Sequence, residues 1–140
     1  PRWWCAEGWA WRQRLGAEAR PPEPADASQA ADRLCAYEAQ AWCRWAGRRL
    51  PTEAEWECAA LTQPGFVWGA AWEWTASVFA PFPGFAPHPY ADYSAPWFGT
   101  RRVLRGACPA TSGRLAHVKY RNFFTPDRRD IFAGFRSCAA

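Results

Sequence analysis

The stretch from Trp42 to Trp56 spells one helix closing, a sharp corner and a second helix opening. No other feature restricts the fold as much. Ala36 to Ala46 holds good helix formers, and Gly47 suits the left-handed position that ends helices. Leu50 precedes Pro51, which disfavours helical backbone at Leu50. Thr52 and Glu55 then have capping-box spacing, in which each side chain satisfies an orphan backbone donor of the other residue. A helical pair is therefore expected over roughly Ser28 to Leu61.

Around this pair the pattern is shorter and less regular. Pro1 to Leu15 is a Trp-rich opening, and Ala19 to Ala27 reads as a loop stiffened by three prolines. Trp72 to Ser77 alternates aromatic and polar residues, as a half-buried strand does. Phe79 to Gly99 is a long loop whose Phe and Trp residues predict packing rather than disorder. Arg101 to Ala107 and Phe132 to Cys138 read as strands, and Arg121 to Asp130 as turn-like. Short helices with short strands make the class α+β. At 140 residues with 11 Trp, the chain suits one small domain with a large aromatic core. Residues 1–27 form an irregular lead-in and residues 28–140 the recognisable core.

Several chemistries lack their residues. The histidines, His88 and His117, are far apart in sequence, and no carboxylate spacing complements them. No metal site is expected, and His88, in Pro-His-Pro-Tyr, is expected to fix an exposed turn. There is no G-x-S-x-G elbow, Walker loop or G-x-G-x-x-G. The net charge of +4 is carried by Arg, apart from the single lysine Lys119. Acidic residues interleave with the Arg and no RNA-binding strand motif is present, so no nucleic-acid partner is expected. Six cysteines without C-x-x-C spacing read as reduced thiols packed as small hydrophobes, which points to the cytoplasm. No run is long and apolar enough for a membrane span. The absence of Met and the start at Pro1 fit a segment of a longer polypeptide.

Tyr37-Glu-Ala, the Trp42–Trp56 corner, Trp72-Glu-Trp-Thr75, Val103-Leu-Arg-Gly106, Arg121-Asn122 and Gly134-Phe-Arg136 follow one another in a fixed order. Together they resemble the sulfatase-modifying-factor domain, which implies a C-type-lectin-like fold, here incomplete. The family holds formylglycine-generating enzymes, related binding or maturation proteins, and the iron-dependent sulfoxide synthases of ergothioneine biosynthesis. Formylglycine-generating enzymes carry a reactive cysteine pair shortly after an Arg-Gly-Gly-Ser strand. Here that strand reads Arg105-Gly-Ala-Cys108, and the pair positions hold Thr111 and Ala116. Neither residue can supply a thiolate, so formylglycine chemistry is not expected.

Phe82-Pro-Gly-Phe85, Tyr90-Ala-Asp-Tyr-Ser94, Arg121-Asn-Phe-Phe124 and Arg128-Arg-Asp-Ile-Phe132 are similar to segments of the ergothioneine branch. The resemblance implies Fe(II), oxygen, hercynine (trimethylhistidine) and a sulfur or selenium donor. It implies that Tyr90 is the catalytic tyrosine, donating a proton or hydrogen atom. Tyr93 and Asn122 would hold hercynine, with Phe123 and Phe124 lining a pocket for its trimethylammonium. Read without the resemblance, the tyrosines serve equally well to pack the long loop, the two Phe to fill a core and Asn122 to make a turn. Phe124 stands where γ-glutamylcysteine-using members carry Asp, which points to free cysteine or a selenosugar as donor. The iron ligands of these enzymes are histidines of an N-terminal helical domain. No such segment precedes the core here, so this chain alone is expected to bind no iron and to be inactive. The rival reading is a non-catalytic ligand- or protein-binding module, or a truncated remnant, of the same superfamily.

Overall fold

The structure is a computed structural model that describes residues 1–16, 31–90 and 92–140. The proline-stiffened loop, the start of the expected helical pair and the 27/28 boundary lie outside the described residues.

The opening segment differs from the irregular lead-in expected. Ala6–Leu15 forms a helix, α1, capped by the Cys5 thiol, which accepts a hydrogen bond from the Gly8 amide. Its Glu, Arg, Gln, Ala and Leu are good helix formers, and this propensity prevails over the Trp-rich, aperiodic appearance. Trp11 is buried and pins α1 through ring contacts with Trp4 and Tyr37.

The corner forms as read. Helix α2 spans Ala36–Trp45, and Gly47 follows with φ of 66°. Arg48–Arg49 makes a two-residue strand, β1, before α3 begins at Glu53 and runs to Thr62. The Thr52 hydroxyl accepts from the Glu55 amide at 3.2 Å, and Glu55 Oε2 accepts from the Thr52 amide at 2.8 Å. Arg49 adds two hydrogen bonds to the same carboxylate, both 2.7 Å.

Strands β2 (Trp72–Val78), β3 (Arg102–Gly106), β4 (Asn122–Phe124) and β5 (Ala133–Gly134) form one sheet in the order β4-β3-β2-β5. The β2–β5 pair is parallel and the other two are antiparallel. The short β6 (Cys138–Ala139) pairs with β1, so the chain's end clasps the corner. The turn-like reading of Arg121 to Asp130 holds from Thr125 onward, where the Arg128 amide donates to the Thr125 carbonyl, and is corrected at Asn122–Phe124, which pair with β3. The closing strand is also shorter than expected and broken into β5 and β6. Gly134 is required where it stands, since a Cβ there would lie 2.5 Å from the Ala31 carbonyl oxygen.

Side-chain alternation divides the sheet's work. Trp72, Trp74 and Leu104 cluster with Ala36, Ala39 and Cys43 of α2. Trp74 is fully buried, and its indole N–H donates to the Leu34 carbonyl at 2.6 Å. Glu73, Thr75 and Arg105 alternate to the opposite face, where α3 lies. There the Trp56 indole donates to Glu73 at 2.7 Å and Arg105 pairs with Glu57. Of the six cysteines, Cys35, Cys43 and Cys108 are buried, whereas Cys58 is exposed on α3, contrary to the packed role expected for all. Burial pushes the Cys43 thiol up to about 11.

Thr52→Ala is expected to cost about 1 kcal/mol, read by chemical denaturation. The Glu55 carboxyl is held down to about 2, first by Arg49 and then by Thr52. Its folded value lies below the ordinary 4.5. The stability it contributes is therefore present above pH 4.5 and is lost as pH falls toward 2. An NMR titration of Glu55 checks this, and Arg49→Gln moves its midpoint upward.

Candidate functional site

The long loop between β2 and β3 folds back over the α3 face and ends in a short 3₁₀ turn, Ala95–Trp97. Of its Phe residues, Phe79 and Phe98 pack as expected, whereas Phe82 and Phe85 stay exposed. Phe79, buried at the loop's start, stacks on Phe123 of β4 with ring centres 4.0 Å apart. Phe98 meets Phe79 at 4.9 Å and stands edge-on to Phe85 at 5.1 Å. These rings wall a cleft of about 510 Å³. Tyr93, Asp92, Lys119 and Arg121 also line it.

Arg121 locks this cleft to the scaffold. Its guanidinium donates to both Glu53 oxygens at 2.7 and 2.8 Å, and to the Ala80 carbonyl at 3.1 Å. It also lies over the rings of Phe79 and Phe82, 4.8 and 4.3 Å from their centres. Thus one side chain joins β4, the first turn of α3 and the loop. In the sequence Arg121 stands out only as part of the Arg121-Asn122 segment of the family resemblance. Its role depends on Glu53, 68 positions earlier, and no local pattern signals that pairing.

The expected site residues divide. Tyr93 and Phe123 share the cleft. Tyr90 sits on the same loop, exposed, with its amide donating to His88 Nδ1 and its carbonyl accepting from the Tyr93 amide. His88 thereby fixes an exposed turn. Asn122 does not join Tyr93 and Phe123: it pairs with Leu104, is half-buried on the sheet's other face, and its side-chain oxygen accepts from the Phe123 amide. Phe124 corrects the expectation that both Phe line one pocket. Adjacent strand residues face opposite ways. Phe123 meets Phe79, whereas Phe124 packs against the core cluster on the α2 side and carries Arg128 over its ring. The residue type at position 124 therefore does not shape this cleft.

A second cleft, of about 550 Å³, runs between α3 and the C-terminal strands. Its charged residues are already engaged, Glu55 with Arg49 and Arg136 with Glu73. It therefore offers a polar ligand little to grip. At the positions where formylglycine-generating enzymes need thiols, the Thr111 hydroxyl instead accepts from the Cys108 amide at 3.0 Å and closes a turn. Among the described residues, no group of three or more His, Cys, Asp or Glu side chains could hold a metal ion. They do not fit an iron centre. No described helix is long and apolar enough to cross a membrane.

Comparison with known proteins defines the class. Residues 2–70 match the sulfatase-modifying factor enzyme 1-like domain. The chain carries this domain, and its α+β architecture is of the C-type-lectin-like kind. Within that class it is related to the hercynine oxygenases. It is 32% identical to hercynine oxygenase of Mycolicibacterium smegmatis over 198 residues, covering 97% of this chain and 46% of that protein. The Mycobacterium tuberculosis hercynine oxygenase is 32% identical over 194 residues, covering 96% and 46%. The formylglycine-generating enzyme of M. tuberculosis is 44% identical over 72 residues, 49% of this chain and 23% of that enzyme. The chain thus spans less than half the length of the hercynine oxygenases it matches. The matched span of 198 residues also exceeds the chain's 140, so the M. smegmatis protein holds segments inside that span with no counterpart here.

Glu53→Gln is expected to lower stability by about 2 kcal/mol, because it leaves a half-buried guanidinium without its counter-charge. Denaturant unfolding measures this loss, and the NMR line widths of Phe82 and Phe85 report the loosened loop.

Proposed function

We propose that this chain is the substrate-binding portion of an oxygen-dependent synthase that forms a C–S or C–Se bond on hercynine. The observation that carries the reading is the aromatic cleft holding Tyr93 and Phe123, in a chain related to hercynine oxygenases over almost its whole length. Hercynine presents a trimethylammonium, a carboxylate and an imidazole. Aromatic faces attract the first through their negative quadrupole, by about 0.5 to 2 kcal/mol per contact. The Tyr93 hydroxyl suits a hydrogen bond to the carboxylate or imidazole. Asn122 pairs with Leu104 on the α2 side of the sheet and commits its oxygen to the Phe123 amide, so it takes no part in this cleft. Tyr90, exposed three residues before Tyr93, is the proton donor of this reading.

Iron supplies the oxygen chemistry in this proposal, and its ligands belong to a further helical domain of the whole protein. The chain's own part is to bind and orient hercynine and to bring the Tyr90 hydroxyl to it. The sulfur or selenium donor enters with that domain in place, and the reaction belongs to the cytoplasm. The segments that the M. smegmatis relative holds and this chain lacks favour one rival, a module that binds ligand without turnover.

Hercynine titrated calorimetrically into the chain should bind saturably, and Phe123→Ala should weaken that binding about tenfold. Absence of heat at millimolar hercynine would sink the proposal. In the whole protein, Tyr90→Phe is expected to abolish turnover with hercynine binding retained. Unchanged turnover would remove Tyr90 from the chemistry, and a parent protein that binds but never turns over would establish the rival.

A further inference from the structure

We infer that the aromatic cleft selects a zwitterion, with Lys119 as the anchor for the ligand's carboxylate and Asp92 as the counter-charge for its cationic end. The inference rests on the hercynine reading of this cleft and names two residues which that reading leaves without a role.

The charges of the cleft are Arg121, Lys119 and Asp92. Arg121 is spent, since all three guanidinium nitrogens donate within the protein, to Glu53 and to the Ala80 carbonyl. It also occupies the cation seat over Phe79 and Phe82. A ligand's cation is therefore directed to the other rings of the lining, Phe85, Phe98, Phe123, Tyr93 and Tyr120. Phe85 and Phe98 stand at 86° to one another and form a corner. Asp92 is the neighbour of Tyr93 in the chain and lines the same cleft. Its carbonyl accepts from the Trp97 indole at 3.2 Å, which ties its backbone to the 3₁₀ turn.

Lys119 is the single lysine of a chain that otherwise uses arginine. Its backbone is tied on both sides. The amide donates to His117 Nδ1 at 3.1 Å, and the carbonyl accepts from the buried Arg105 at 3.2 Å. Its ammonium makes no ion pair with any described residue, and neither does the Asp92 carboxylate. A fixed backbone carrying a free ammonium at the cleft is a pre-organised receptor for an anion. A compact point charge also suits a carboxylate reached at the end of a flexible stem, where the planar fork of Arg is already committed elsewhere. Opposite free charges in the lining of one aromatic cleft match a betaine, whose two charges are carried on one small molecule.

The test is calorimetric titration of the chain with two probes, hercynine and its decarboxylated counterpart, which keeps the trimethylammonium and imidazole. Lys119→Gln should weaken hercynine binding about tenfold, the equivalent of one charge-assisted hydrogen bond. It should leave the decarboxylated probe unchanged, and Lys119→Arg should restore most of the loss. Asp92→Asn should weaken both probes. Lys119 is exposed, so its variants should keep the parent's thermal midpoint. Hercynine binding undiminished in Lys119→Gln, or an equal loss for both probes, would overturn this inference and leave the hercynine reading standing. A parent chain that binds neither probe would overturn both.

Discussion

The acidic face of α3 holds the structure together. Glu53 grips Arg121, Glu57 grips Arg105, and Trp56 between them donates its indole N–H to Glu73, which in turn holds Arg136. Three arginines from three distant parts of the chain thus converge on one helix and its neighbour. Arg105 is almost fully buried, and removing its carboxylates would strand a charge in a low-dielectric interior. A short sheet whose β4 and β5 have three and two residues contributes few ladder hydrogen bonds. The ion pairs and the buried Trp56 and Trp74 supply the specificity that regular structure does not.

The cleft inherits its geometry from this arrangement. Glu53 is both the first residue of α3 and the partner of Arg121, so the capping box that starts the helix also positions the cleft wall. This links the Thr52–Glu55 corner to Phe79 and Phe82 through two side chains. The same scaffold separates the two family chemistries. Where one branch needs thiols, Thr111 closes a turn. Among the described residues no His, Cys, Asp and Glu cluster could hold a metal ion, and the aromatic cleft lies apart from the Thr111 turn.

The corner was legible in the sequence because every signal in it is local. Gly47 ends α2 through its own φ, and Thr52 and Glu55 satisfy each other three residues apart. The Trp72–Ser77 strand was legible for the same reason, since a period of two is a property of the strand itself, whereas its expected half-buried character fails because α3 covers Glu73 and Thr75 on the second face. The opening helix was missed because its tryptophans hide a favourable run of helix formers. Strand β4 was missed because three residues carry too little pattern to outweigh the turn-like residues after them.

The chain's local grammar decided the helical corner, the aromatic strand and the α+β class, because propensity, capping and alternation act over a few residues. Tertiary structure alone decided which Phe of the Phe123–Phe124 pair faces the cleft. Both are equally apolar, and only the register of β4 on β3 sends one to Phe79 and the other to the core. It likewise decided that Arg121 is spent on Glu53 and that Lys119 is free, a distinction made by partners 68 residues apart rather than by the residues themselves.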